Sequence, residues 1–145
     1  MDFKKPVIRC LLLPVMLAGT LFSFSCKKAI EQQQKNIIVD AMTHGRWYVE
    51  QYTQDAIDIT PGFLDYEFQF YENGQVDGIK TIFIKSGTWS ADIGNYTITA
   101  AFPADASDTL KLLNHTWKIT DSYLDYVEAK TTTASGENTL HLRKK

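Results

Sequence analysis

Beyond residue 45, apolar and polar side chains alternate along this chain with a period of two, the mark of half-buried strands. The clearest stretch runs from Leu64 to Tyr71, where Leu64, Tyr66, Phe68 and Phe70 fall on one face and Asp65, Glu67, Gln69 and Tyr71 on the other. Asn73-Gly74 follows at once. Both residues tolerate positive φ, so a two-residue hairpin is expected between strands ending at Glu72 and starting at Gln75. The return strand is expected from Gln75 to Lys85, with Gly78 as a candidate bulge and Ser86-Gly87 as the following turn or kink. Thr88 to Asp92, Asn95 to Phe102, one or two strands within Leu110 to Ile119, Tyr123 to Thr132 and a last strand with Leu140 and Leu142 inward continue the pattern. With Arg46 to Gln54 counted first, seven to nine strands result.

Strands this short, joined by a few residues each and with no long helix between them, predict an all-β fold. A small antiparallel up-and-down barrel of about eight strands is favoured over a sandwich, because a closed meander leaves no edge to protect. The expected inward set is rich in rings: Trp47, Tyr66, Phe68, Phe70, Phe83, Trp89, Tyr96, Phe102 and Trp117. Each large ring buries ~150–250 Å², enough to fill an eight-stranded barrel, so a packed interior is expected rather than a hollow one.

Ahead of the strands the period is helical. Ile37, Ile38, Ala41 and Met42 place a short helix over Asn36 to Thr43, and Gly45 ends it. The preceding stretch, with Glu31-Gln32-Gln33-Gln34 at its centre, has the polar composition of a tether. Earlier still, Lys4, Lys5 and Arg9 precede an apolar run from Cys10 to Phe24 that closes on small residues, the order of a secretory signal. That run is shorter than the ~20 residues a spanning helix needs. The expected division is therefore a signal peptide over 1–25, a tether and short helix over 26–42, and a barrel domain over 43–145.

Leader removal changes both charge and thiol chemistry. It takes away Lys4, Lys5, Arg9 and Asp2, leaving 12 basic against 16 acidic side chains. A mildly acidic chain argues against nucleic acid as a partner. Cys10 leaves with the leader, so Cys26 stands alone and no internal disulfide is expected.

Leu21-Phe22-Ser23-Phe24-Ser25-Cys26 resembles the lipobox of bacterial lipoproteins, in the looser form seen in the Bacteroidetes, with Cys26 in the acylated position. Across Thr43 to Lys144 the chain also resembles the small lipocalin-like lipoproteins of that group. The matching features are Gly45-Arg46-Trp47, Phe68-Gln69-Phe70 before Asn73-Gly74, Ser86-Gly87-Thr88-Trp89, Trp117-Lys118-Ile119 and the closing Leu140-His141-Leu142. The resemblance implies a lipocalin-like barrel with Trp47 across its closed end and Thr53 to Phe63 as a lid on the other. A ligand pocket would then involve Ile57, Ile59 and Phe63 from the lid and Phe68, Phe70, Trp89 and Tyr96 from the wall. It also implies attachment to a membrane through the N-terminal lipid. The expected address is the cell envelope, at the outer membrane, with the periplasmic face favoured because the residues after Cys26 are basic rather than acidic.

No catalytic signature emerges, and no enzyme activity, metal or cofactor is expected. His44, His115 and His141 have no ligand partner at metal spacing, and neither a Gly-X-Ser-X-Gly nor a phosphate-binding glycine loop is present. Asp121, Asp125 and Glu128 read as a solvated acidic turn. The leading expectation is a monomeric, membrane-anchored module whose barrel is a scaffold for binding or interaction with an envelope protein. A carrier of a small apolar ligand is the alternative, and an enzyme with an unrecognised site a distant third.

Overall fold

The alternating runs close into a barrel. The structure, a computed structural model, describes Ile30, Gln33 and residues 36–145. The leader, Cys26 and most of the tether lie outside the described residues. Residues 36–43 form helix α1, and the strands are β1 (Trp47–Gln54), β2 (Ile57–Asp58), β3 (Tyr66–Phe70), β4 (Gln75–Lys80), β5 (Phe83–Asp92), β6 (Thr97–Ala101), β7 (Thr116–Tyr123), β8 (Tyr126–Thr133) and β9 (Gly136–Lys144). A 3₁₀ turn (Thr60–Phe63) precedes β3, and a one-turn helix α2 (Asp108–Lys111) precedes β7.

Every barrel strand pairs antiparallel with its neighbours, and β1 also pairs with β9, so β1 and β3 through β9 make a closed eight-stranded meander. β2 is a two-residue flap on the far end of β1, reached through Asp55 and Ala56, which both take positive φ. The seam is uneven. β1 matches β9 over seven residue pairs but meets β3 at a single pair, Trp47 with Phe68. A bulge between Val49 and Gln51 shifts the side-chain parity of β1, so that Trp47, Val49 and Tyr52 all face inward.

The core runs the length of the barrel. At the α1 end Trp47 is fully buried and donates Nε1–H to the Met42 carbonyl at 2.9 Å, fixing the helix across the opening. Trp89 and Trp117 likewise donate to backbone carbonyls, of Tyr71 at 2.9 Å and Leu113 at 3.1 Å. All three indoles thus bury their rings with the polar hydrogen satisfied. The buried cluster extends from Met42 to Leu142.

Several local expectations are corrected. Asn73-Gly74 is not a two-residue hairpin: Gly74 donates to the Tyr71 carbonyl, the Tyr71 N–H reaches Gln75, and positive φ occurs at Gly74 but not Asn73. This is a three-residue loop, Glu72-Asn73-Gly74, with its left-handed residue last. Ser86-Gly87 does not turn. It lies inside β5, and the hairpin falls earlier at Thr81-Ile82, where Thr81 takes φ +57°.

Gly87 is required for space: a Cβ there would stand 2.6 Å from the Ala101 carbonyl oxygen. Gly78 is no bulge either, since it pairs in register with Phe68 and Lys85 and leaves room for Leu110. Residues 110–115 are helix and turn, because Ser107 caps α2 by accepting the Leu110 N–H. Leu64 is exposed, since the 3₁₀ turn reaches it before β3 begins.

Candidate functional site

Two ends and an interior are available to a ligand or partner. Within the barrel, Phe68, Phe70 and Trp89 stand where the pattern placed them, with Phe70 against Trp89 edge to face at 5.2 Å. Phe68 and Phe70, together with Phe102, Trp117 and Leu140, border an entirely apolar cavity of about 40 Å³. A drug-sized ligand needs ~300 Å³ or more, and a single water needs polar partners that this lining lacks.

The end opposite α1 is plugged. Phe63 is buried against Tyr52 at 5.4 Å and Tyr66 at 6.4 Å, so the expected lid has its largest side chain inside the barrel mouth. The flap is latched as well. Tyr52 N–H donates to Thr60 Oγ1, Ile59 N–H donates to the Tyr52 carbonyl, and Asp58 accepts from both the hydroxyl and the amide of Thr60. The Thr60 hydroxyl is the main cause of a lowered Asp58 pKa. Ile59 packs partly buried on the core, whereas Ile57 points to solvent.

α2 supplies the second half of the plug. Leu110 and Leu113 enter the core, Tyr66 Oη meets Ser107 Oγ at 2.9 Å, and Tyr52 Oη–H donates to the Leu112 carbonyl at 2.9 Å. The Asn114 side chain pairs with both the N–H and the carbonyl of Phe102, continuing β6 in place of a backbone partner. Burial raises the Tyr52 pKa above its ordinary value, opposed by a hydrogen bond from Asn138. Asn138 is itself buried; its Nδ2 reaches Tyr52 Oη at 3.5 Å, while its Oδ1 is a buried acceptor with no partner.

Two residues expected inside are outside. Tyr96 takes φ +51° in the turn after β5 and is 54% exposed, with Lys118 Nζ over its ring. Phe83 has inward parity, opposite Lys80, but β4 and β5 rise past the plug there, leaving it 75% exposed. With Ile82, Ile84 and Leu64 it forms an exposed apolar tip flanked by Lys80 and Lys85, which pair with Asp65 and Asp105. A signal for this tip existed in Ile79-Lys80-Thr81-Ile82-Phe83-Ile84-Lys85, three consecutive apolar residues between lysines. Nothing local announced the plug residues Tyr52, Leu110 and Asn138.

Among the described residues no group of three or more His, Cys, Asp or Glu could hold a metal ion, and no helix is long and apolar enough to cross a membrane. Glu128 accepts from Thr120 and Tyr126, and the Thr120 hydroxyl is the main cause of its lowered pKa.

These features define a lipocalin-like eight-stranded barrel with a filled interior. No protein-family model and no curated protein matches the chain. Among solved structures it is similar to a DUF4847 family protein from Bacteroides vulgatus ATCC 8482. The TM-score is 0.50 and the identity 14%, covering 73% of this chain and 96% of that one. At that identity the likeness concerns the fold alone.

Proposed function

We propose that this chain is a lipid-anchored protein of the bacterial cell envelope, probing its surroundings through the outside of the barrel rather than carrying a ligand within it. The filled interior carries the reading: a cavity of about 40 Å³ behind a plug built from Phe63 and Leu110 offers a carrier's ligand neither volume nor entrance. Anchorage rests on the charged and apolar leader that ends at Cys26 and on the polar stretch after it. The exposure of Leu64, Ile82, Phe83 and Ile84 at the plugged end supports an interaction role, because large apolar side chains left exposed together commonly mark a contact site.

Titration of an apolar fluorescent dye into the chain from residue 27 onward tests the scaffold reading. Weak, non-saturating binding is expected. Saturable one-to-one binding at micromolar dye, lost in Phe63→Ser, would establish the carrier instead. Cys26→Ala in the full chain tests anchorage separately, and should move the protein from the membrane to the soluble fraction.

A further inference from the structure

The exposed apolar residues sort by end of the barrel. Leu64, Ile82, Phe83 and Ile84 lie at the plugged end. Ile37, Tyr96, Tyr123 and Leu124 lie at the α1 end, exposed by 54–72%. Each exposed tyrosine is at that second end, since Tyr71 too sits on the turn that closes it.

The α1 set is contiguous in part. Ile37 and Ala41 are four residues apart in α1, hence on one helix face. Ile38 and Ala41 of α1 meet Ser122 and Tyr123 of β7 around a small cavity of about 40 Å³. Leu124 follows Tyr123 at the tip of the β7–β8 hairpin.

We propose that this α1 end is a footing on a phospholipid bilayer, with the Tyr123-Leu124 tip and the Ile37 face of α1 entering the headgroup region. The inference rests on anchorage at Cys26. Asn36 lies ten positions after Cys26, a reach of at most ~35 Å when fully extended. The tether leads into α1, which lies across this end, so a lipid on Cys26 attaches the protein from the α1 end rather than from the Phe83 tip. Tyrosine suits that depth because its ring is apolar and its hydroxyl remains wet.

Charge at the footing is mixed. Lys118, Lys144 and Lys145 lie there with Asp40, Glu72 and Asp125, so apolar area rather than net charge drives the contact. Contact should therefore survive high salt.

The test separates footing from acylation. The chain from Lys27 onward contains no cysteine and keeps every described residue. An N-terminal hexahistidine tag would attach it to vesicles of phosphatidylcholine and phosphatidylglycerol containing a nickel-chelating lipid, whatever happens to Cys26 in cells. Leu124→Cys or Ile82→Cys then carries a single bimane label, and the vesicles carry a doxyl-labelled lipid. Quenching several-fold stronger at 124 than at 82, undiminished in high salt, is expected. Equal quenching at the two sites, or stronger quenching at 82, would overturn the footing. An unacylated mature N-terminus, found by mass spectrometry of the full chain made in a bacterium, would instead refute anchorage and leave the quenching result standing.

Discussion

Gly78 and Leu110 offer a direct test of how the plug is seated. A Cβ built on Gly78 stands 2.7 Å and 3.1 Å from the two methyl carbons of Leu110, and 3.4 Å from Phe102 Cε1. Backbone conformation is no obstacle, since Gly78 pairs regularly in β4 and has no positive φ. On conformational grounds alone Gly78→Ala would stabilise the strand by ~0.5–1 kcal/mol. Crowding a buried leucine costs ~1–3 kcal/mol, so the net expectation is a loss of ~1–2 kcal/mol. Leu110→Ala alone should cost ~2–5 kcal/mol, because Leu110 is 2% exposed and its removal leaves a void. In that background the methyl added at position 78 no longer meets the two leucine carbons. Gly78→Ala should then be neutral or slightly stabilising, a favourable coupling of ~1–3 kcal/mol between the two sites. Urea unfolding followed by fluorescence of Trp47, Trp89 and Trp117 measures each corner of the cycle. Additivity within ~0.5 kcal/mol would show that Leu110 does not sit over Gly78, and the account of a barrel shaped around its plug would fail.

Other expectations follow from the same geometry. Gly74→Val should lose ~1 kcal/mol or more in urea unfolding, since Gly74 has φ +84°, a region β-branched residues avoid; a neutral result would mean the loop re-forms differently. Phe70→Ala should cost ~3–5 kcal/mol, whereas Phe83→Ala, on an exposed ring, should change stability by less than ~0.5 kcal/mol; equal costs would put Phe83 back in the core. Burial raises the Tyr52 pKa, so folding favours the protonated phenol. Its contribution is complete below the ordinary tyrosine value near 10 and is lost as pH rises above that toward the raised folded value. Stability should thus fall more steeply above pH ~10 in the native chain than in Tyr52→Phe, and parallel curves from the two would contradict this.

The division between what was legible and what was not follows the range of the interactions. A period of two over Tyr66, Phe68 and Phe70, over Val127 and Ala129, and over Leu140 and Leu142 records burial on one face. Each strand needs only its own residues to show that. Short connections then imply a meander, and a meander of eight strands closes, so the barrel and its helix at the Trp47 end were readable from the sequence by itself. Glycine is ambiguous in a strand pattern because the same residue serves two purposes. Gly74 supplies a positive φ, which is local, whereas Gly78 and Gly87 make room for Leu110 and for the Ala101 carbonyl, which lie elsewhere in the chain.

Only the tertiary structure decided what fills the barrel mouth. Tyr52 and Phe63 share the buried cluster with Leu110, which follows them by 58 and 47 positions, and the Tyr52 hydroxyl finds the Leu112 carbonyl 60 residues away. The expected burial of Phe83 and of Tyr96 failed for the same reason. Whether an inward-facing ring is buried depends on where the plug stops and which way a turn throws its last residue, and neither is encoded in the period of a strand. Sequence periodicity therefore determined the wall of this protein, and its rings forecast a filled interior, while packing between distant segments decided which residues close the mouth.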